Sequence, residues 1–298
     1  MKPFTILAAT VIAGAAQAQT APVETFAGLV DAPVSPETVV ALDLAAVDSL
    51  GALGVAIAGV PDIRPPAYLD DTLAGAVTVG TLFEPDFEAL AAMAPDLIIA
   101  GGRSQTQVAP LSAIAPTLDM TIDGDVLAQG RARLDSYGTL FGREDEAQAL
   151  LADLDAAIAT ARTAVAGKGD ALILLTNGGK LSAYGDDSRF GWLHTALGLA
   201  EAYPDLSAET HGESVSFEFI AEVDPDIILV IDRGAAIGQD SESAAVTLDN
   251  PLVAGTTAAG TGNIVYLDSA PLYLAGGGIR SLMLTLGEVT KAFQDDGA

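Results

Sequence analysis

The chain has 298 residues, of which 40 are acidic and 13 basic, giving a formal net charge of −27, and it contains no cysteine. That charge excludes a nucleic-acid partner, whose phosphates need a basic face, and the missing thiols exclude disulfides and lipid attachment at an N-terminal cysteine. Half of the residues are hydrophobic and mean hydropathy is +0.40, enough for a large core in a chain whose length suits two domains of roughly 100–200 residues each.

In chain order, Lys2 is followed by the apolar run FTILAATVIAGAA and then AQA. The run is shorter than the ~20 residues needed to cross a bilayer, so residues 1–18 read as a secretory signal cleaved after Ala18. The remainder is expected to be a soluble, periplasmic protein without a lipid anchor. Short apolar strands then alternate with amphipathic helices: TVVALD (38–43) as strand, LAAVDSLGALG (44–54) as helix, VAIAGV (55–60) as strand, FEALAAMA (87–94) as helix and DLIIAGG (96–102) as strand. A helix over SQTQVAPLSAIAP, a strand over TLDMTI and a helix over LAQGRARLDSYGTLFG complete the first half. The second half repeats the scheme with strands ALILLT (171–176), DIILVID (226–232) and NIVYLD (263–268), helices within 187–199 and over 217–223, and a closing helix over 276–293. Wholly apolar strands between helices imply mostly parallel sheets covered on both faces, an α/β fold.

Between the halves, residues 143–167 contain no internal Gly or Pro, carry Asp and Glu early and end at Gly167. They predict one long rigid helix of about 35 Å at ~1.5 Å per residue. A repeat falls on either side of it. FEALAAMAPDLIIAGGR (87–103) and FEFIAEVDPDIILVIDR (217–233) lie 130 residues apart and agree at seven of seventeen positions. The organisation is therefore a first lobe at 19–142, the helix at 143–167 and a second lobe at 168–298, the two lobes being Rossmann-like.

Each repeat ends in an arginine just past a buried strand, Arg103 and Arg233, and ligands of open α/β sheets bind outside the carboxyl ends of strands. Arg189, after the Gly-Asp-Asp turn of KLSAYGDDSRFGWLH (180–194), is a third. Facing lobes would bring all three into one cleft, where a guanidinium meets an anion at ~4 Å with about 4 kcal/mol if the effective dielectric is ~20. The bland alternative is three solvated arginines paired to nearby acids. His194 sits on an apolar helix and reads as a packed residue. His211, in ETHGESVSF, sits in a polar loop beside a glycine, and Tyr273 precedes three glycines that open the last helix. An enzyme built on a nucleophile finds no Cys, G-x-S-x-G or H-E-x-x-H pattern to support it, and no Asp-rich calcium loop is present.

Together the long helix, the twin Glu and Pro-Asp segments, GGKLSAYGDDSRFGWLH, THGESVSFEFIAEVDPDIILVIDRG, LDNPLVAGTTA and IVYLDSAPLYLAGGG resemble periplasmic substrate-binding proteins of iron–siderophore ABC importers, in the subgroup that takes ferric catecholates. The resemblance covers nearly the whole chain after residue 18. It implies a class III periplasmic binding protein, acting as a monomer, that is not an enzyme and has no intrinsic cofactor. Its transported ligand would be an Fe(III)–siderophore and its partner an inner-membrane ABC permease. By the same resemblance, Arg103, Arg189 and Arg233 face the catecholate oxygens, and His211 and Tyr273 ligate iron directly when the siderophore supplies only four donors. Glu88 and Glu218, one per lobe, dock on the permease. A receptor of the same class for haem, cobalamin or another metal chelate is the alternative.

Overall fold

A computed structural model describes residues 19–207 and 211–294 of the chain; the secretory leader expected at 1–18 lies outside the described residues. An antiparallel hairpin opens the fold, β1 (Thr20–Thr25) with β2 (Gly28–Pro33). The first lobe follows: β3 (Val39–Ala41), β4 (Gly59–Val60), β5 (Val77–Thr78), β6 (Leu97–Ala100) and β7 (Thr117–Asp119) form an all-parallel sheet in the order β5-β4-β3-β6-β7. Val39, Ala41, Leu97 and Ile99 point to one face, whereas Val40, Ile98 and Ala100 point to the other. Both faces are apolar, which is why these strands read as unbroken hydrophobic runs.

The second lobe contains β8 (Asp170–Asn177), β9 (Lys180–Tyr184), β10 (Ala200–Glu201), β11 (Glu213–Val215), β12 (Ile227–Asp232) and β13 (Ile264–Tyr266). Its sheet runs β11-β9-β8-β12-β13, with β10 also paired to β8. The pairings of β8 with β10 and β12, and of β12 with β13, are parallel. β9 pairs antiparallel with both β8 and β11, so this sheet is mixed. The antiparallel turn is Gly178–Gly179, whose positive φ values of 55° and 81° suit the two-residue turn of a tight hairpin.

The long connecting helix spans Glu144–Val165, 22 residues and about 33 Å at ~1.5 Å per residue. Ala147, Leu154, Ala161 and Val165 are buried along it at near-heptad spacing. The closing helix, Ile279–Gln294, lies against it and buries Ile279, Leu282, Leu286, Val289 and Phe293. These stripes and one face of each sheet belong to a single apolar cluster. The lobes therefore share a continuous core, which resists the large swing that a flexible linker permits.

One buried carboxylate fixes the end of that helix pair. Asp48, on the first-lobe helix Leu44–Ala52 and fully buried, accepts the backbone N–H groups of Arg280 (2.8 Å) and Ser281 (3.0 Å) and the hydroxyl of Tyr68 (2.6 Å). The closing helix, which follows the second lobe in the chain, is thus capped by the first. Gly278 permits this approach, since a Cβ there would lie 2.6 Å from the Asp48 carboxyl carbon. The glycine run after Tyr273 is therefore a packing requirement.

Candidate functional site

The repeat is carried into the structure atom by atom. Asp86 caps the helix Phe87–Met93 by accepting Glu88 N–H and Ala89 N–H, and Ser216 caps Phe217–Val223 by accepting Phe219 N–H. Both helices end in a left-handed residue that is not glycine, Ala94 (φ 50°) and Asp224 (φ 47°). A Pro-Asp pair follows in each. Asp96 accepts the N–H groups of Glu37 and Thr38 just before β3, and Asp226 accepts the N–H of Asp170 at the start of β8. The aspartate thus pins each repeat strand beside its parallel neighbour. The strand then delivers its arginine at the carboxyl edge of the sheet: Arg103 in the 3₁₀ turn Gly102–Gln107, and Arg233 at the first residue of the short helix Arg233–Ala236.

The third arginine comes from the loop after β9. Gly191 closes that loop so tightly that an added Cβ would meet the Asp186 carbonyl. Arg189 is thereby turned toward the helix Ser269–Leu274, and all three guanidinium groups meet at Tyr273. Arg103 (3.3 Å) and Arg189 (3.0 Å) donate to the Tyr273 carbonyl oxygen, which lies at the negative end of its helix. Arg233 donates to the Tyr273 hydroxyl at 3.0 Å and to Asn177 at 3.2 Å. The guanidinium carbons of Arg189, Arg103 and Arg233 stand 4.7, 5.4 and 6.0 Å from the tyrosine ring centre, and Arg189 also stacks on Phe190 at 4.6 Å, each within cation–π range.

Around this hub lies a cavity of about 370 Å³ lined by residues of both lobes, among them Asp43, Arg103, Asp123, Arg189, Trp192, His211 and Tyr273. A larger hollow of about 610 Å³ sits on the first lobe beside Tyr68 and Arg280. There the arginine is bonded to Thr72, so chemistry rather than size singles out the smaller cavity. None of the three convergent arginines forms an ion pair with a carboxylate among the described residues. The three guanidinium groups are bonded to a carbonyl, a phenol and an amide instead, so the reading of arginines held in ion pairs does not hold, although Asp43 and Asp123 share the cavity wall with Arg103 and Arg189.

The titrations follow from this geometry. Burial raises the Tyr273 phenol, but the hydrogen bond from Arg233 and the charges of Arg233, Arg189 and Arg103 outweigh it and hold the phenol below its usual value. Burial also lowers Arg189, with the charge of Arg103 acting the same way. Asp43, at the carboxyl end of β3, is pushed up to about 6 by burial, against the N–H of Ala46 and the charge of Arg103.

His211 lies on the cavity wall with an exposed side chain. Its neighbour Gly212, at φ 68°, lets the chain pass where a Cβ would press on the Ala183 carbonyl and the Tyr184 ring. His194 is buried, 3% exposed, as a packed residue. Glu88 and Glu218 are exposed in the first turns of the paired helices and do not line the cavity. Asp43, Asn177 and Phe190 were not singled out by sequence. Asp43 and Asn177 stand at carboxyl ends of strands, the rule that found the arginines, and could have been sought there.

A family model described as periplasmic binding protein matches residues 39–271. The petrobactin-binding protein YclQ of Bacillus subtilis is 38% identical over 265 residues, covering 86% of this chain and 82% of that protein. Its crystal structure superposes with a TM-score of 0.87 at 34% identity, covering 93% and 99% of the two chains. The ferric-anguibactin-binding protein FatB of Vibrio anguillarum is 30% identical over 270 residues, 87% of this chain and 83% of that one. The periplasmic catecholate-siderophore-binding protein VctP of Vibrio cholerae superposes with a TM-score of 0.85 at 29% identity over 92% of this chain and all of that one.

Proposed function

The chain belongs to the periplasmic binding protein family, and from that membership we propose that it captures a ferric catecholate siderophore between its lobes and delivers it to an ABC importer. The observation that carries the reading is the convergence of Arg103, Arg189 and Arg233 on Tyr273 without carboxylate partners among the described residues. A ferric catecholate is a compact polyanion, and charge-assisted hydrogen bonds to such oxygens are worth about 1.5–3 kcal/mol each. Relatives named for binding petrobactin and ferric anguibactin support a ligand of that kind, and one named for a catecholate siderophore supports the catecholate class.

His211 and Tyr273 line one cavity, and the arginines favour the phenolate form of the tyrosine. With a tetradentate siderophore, these two side chains complete the six donors that Fe(III) prefers. The protein then works as a periplasmic receptor and not as a catalyst, exported on the leader at 1–18 and active as a monomer.

Glu88 and Glu218 serve the handover. The repeat places them at matching positions of matching helices, one per lobe, as docking on a two-fold permease requires. Replacing both by alanine is expected to abolish uptake of a ferric catecholate in cells while leaving the affinity of the purified protein unchanged. Lost affinity would move the glutamates into the binding site, and undiminished uptake would remove their docking role. A Soret band on the purified protein would instead favour a haem receptor.

A further inference from the structure

The cavity lined by Arg103 and Arg189, with Arg233 reaching it only through the Tyr273 hydroxyl, is also lined by a carboxylate that no arginine neutralises by contact. Asp43 lines it beside Arg103, yet forms no ion pair among the described residues. One of its oxygens accepts the Ala46 N–H at 3.0 Å, capping the helix Leu44–Ala52. The groups that act on it are the Ala45 and Ala46 amides, the guanidinium of Arg103, the carboxylate of Asp119 on β7, and the Tyr137 hydroxyl from the helix Val126–Phe141. Asp123, Arg189 and Tyr273 share the cavity wall. A cap of the first helix requires an acceptor, but not a charge: asparagine and serine serve as well as aspartate. The charge itself adds only about 0.3–1 kcal/mol at the helix N-terminus, so the helix needs the acceptor more than it needs the charge.

We infer that Asp43 is a specificity-determining residue of the cleft, whose carboxylate limits how much negative charge a bound ferric complex can bring. The inference rests on the ferric catecholate reading above. A complex seated against the arginines comes within range of Asp43, partly buried and therefore weakly screened. Each extra negative charge on the ligand is repelled, whereas a cationic group on the same ligand is attracted. Asp123 lines the same cavity but is exposed, so solvent weakens its influence.

The test uses two synthetic ferric bis-catecholamides that differ only in the linker, one uncharged and one bearing an ammonium group, titrated into wild type, Asp43→Asn and Asp123→Asn. Relative to Asp43→Asn, wild type is expected to favour the ammonium complex over the uncharged one by about tenfold near neutral pH, as one charge–charge contact at intermediate dielectric implies. That preference shrinks toward about pH 6 as Asp43 takes up a proton. Asp43→Asn is expected to lose both the preference and its pH dependence, and Asp123→Asn to keep most of each. Asp43→Ser, also a good cap, repeats the measurement if the asparagine variant does not fold. An Asp43→Asn protein with the wild-type preference overturns the inference and leaves the siderophore reading standing. Failure of wild type to bind either complex overturns both.

Discussion

Tyr273 is bonded twice over, through its carbonyl by two arginines and through its hydroxyl by the third. The two attachments separate cleanly by mutation. Tyr273→Phe keeps the carbonyl, so Arg103 and Arg189 retain their anchor, while Arg233 keeps only Asn177. If the phenolate ligates iron, the visible charge-transfer band of a bound ferric bis-catecholate is expected to differ between wild type and Tyr273→Phe. Affinity is expected to fall about tenfold, the cost of one charge-assisted bond. An identical band would confine the tyrosine to holding the arginines. The identities of the three arginines, His211 and Tyr273 were visible in the sequence, but their meeting point was not. Which side chain forms the hub depends on the turn at Gly191 and on the end of the helix Ser269–Leu274, neither of which follows from spacing.

At the scale of elements, the twin segments show what repetition preserves. Capped helix, left-handed residue, Pro-Asp and buried strand recur because each performs one step in placing an arginine at a sheet edge. Ala94 occupies its left-handed position at a steric cost of roughly 1–2 kcal/mol that glycine avoids. Ala94→Gly is therefore expected to raise stability by up to about 1 kcal/mol after the added chain entropy of glycine, measured as a higher denaturant midpoint at unchanged slope. A lower midpoint would mean that Ala94 is held by packing, not tolerated. Long apolar strands and the connecting helix were legible because burial on both faces and a capped, Gly-free run leave plain patterns. The hairpin β1–β2 and strands β5, β9, β10 and β11 were not read, since edge strands alternate weakly, two-residue strands leave no period and β9 (KLSAY) resembles a polar loop. For β9, the Gly-Gly turn at 178–179 was the available signal.

For the whole molecule, the shared core makes the two lobes one unit whose stability depends on pH. Asp48 is fully buried, and burial raises it from 3.8 to about 6 despite its hydrogen bonds with Tyr68, Arg280 and Ser281. A carboxylate raised in the folded state adds stability that is complete below its unfolded value near 3.8 and is lost as pH rises through about 6. Its share is roughly 3 kcal/mol between those limits. The melting temperature is thus expected to rise as pH falls from neutral toward 5, and relief of repulsion among the acidic side chains acts in the same direction. High salt weakens the surface part but not the buried part. Asp48→Asn should therefore flatten the slope that remains at high salt, whatever it does to the melting temperature itself. An unchanged slope would show that Asp48 does not carry it.

If the cleft at the three convergent arginines receives a ferric catecholate, the binding is visible from within it. Trp192 is the only tryptophan in the chain and lines that cleft, so its emission reports the site directly. Titration with a ferric bis-catecholate is predicted to give saturable quenching at one equivalent with Kd below about 1 μM, and the Arg103→Ala, Arg189→Ala, Arg233→Ala triple variant is predicted to lose at least ~100-fold in affinity. Quenching by wild type that fails to saturate by about 100 μM, or a triple variant that binds as tightly as wild type, would show that the three arginines do not receive a ferric catecholate.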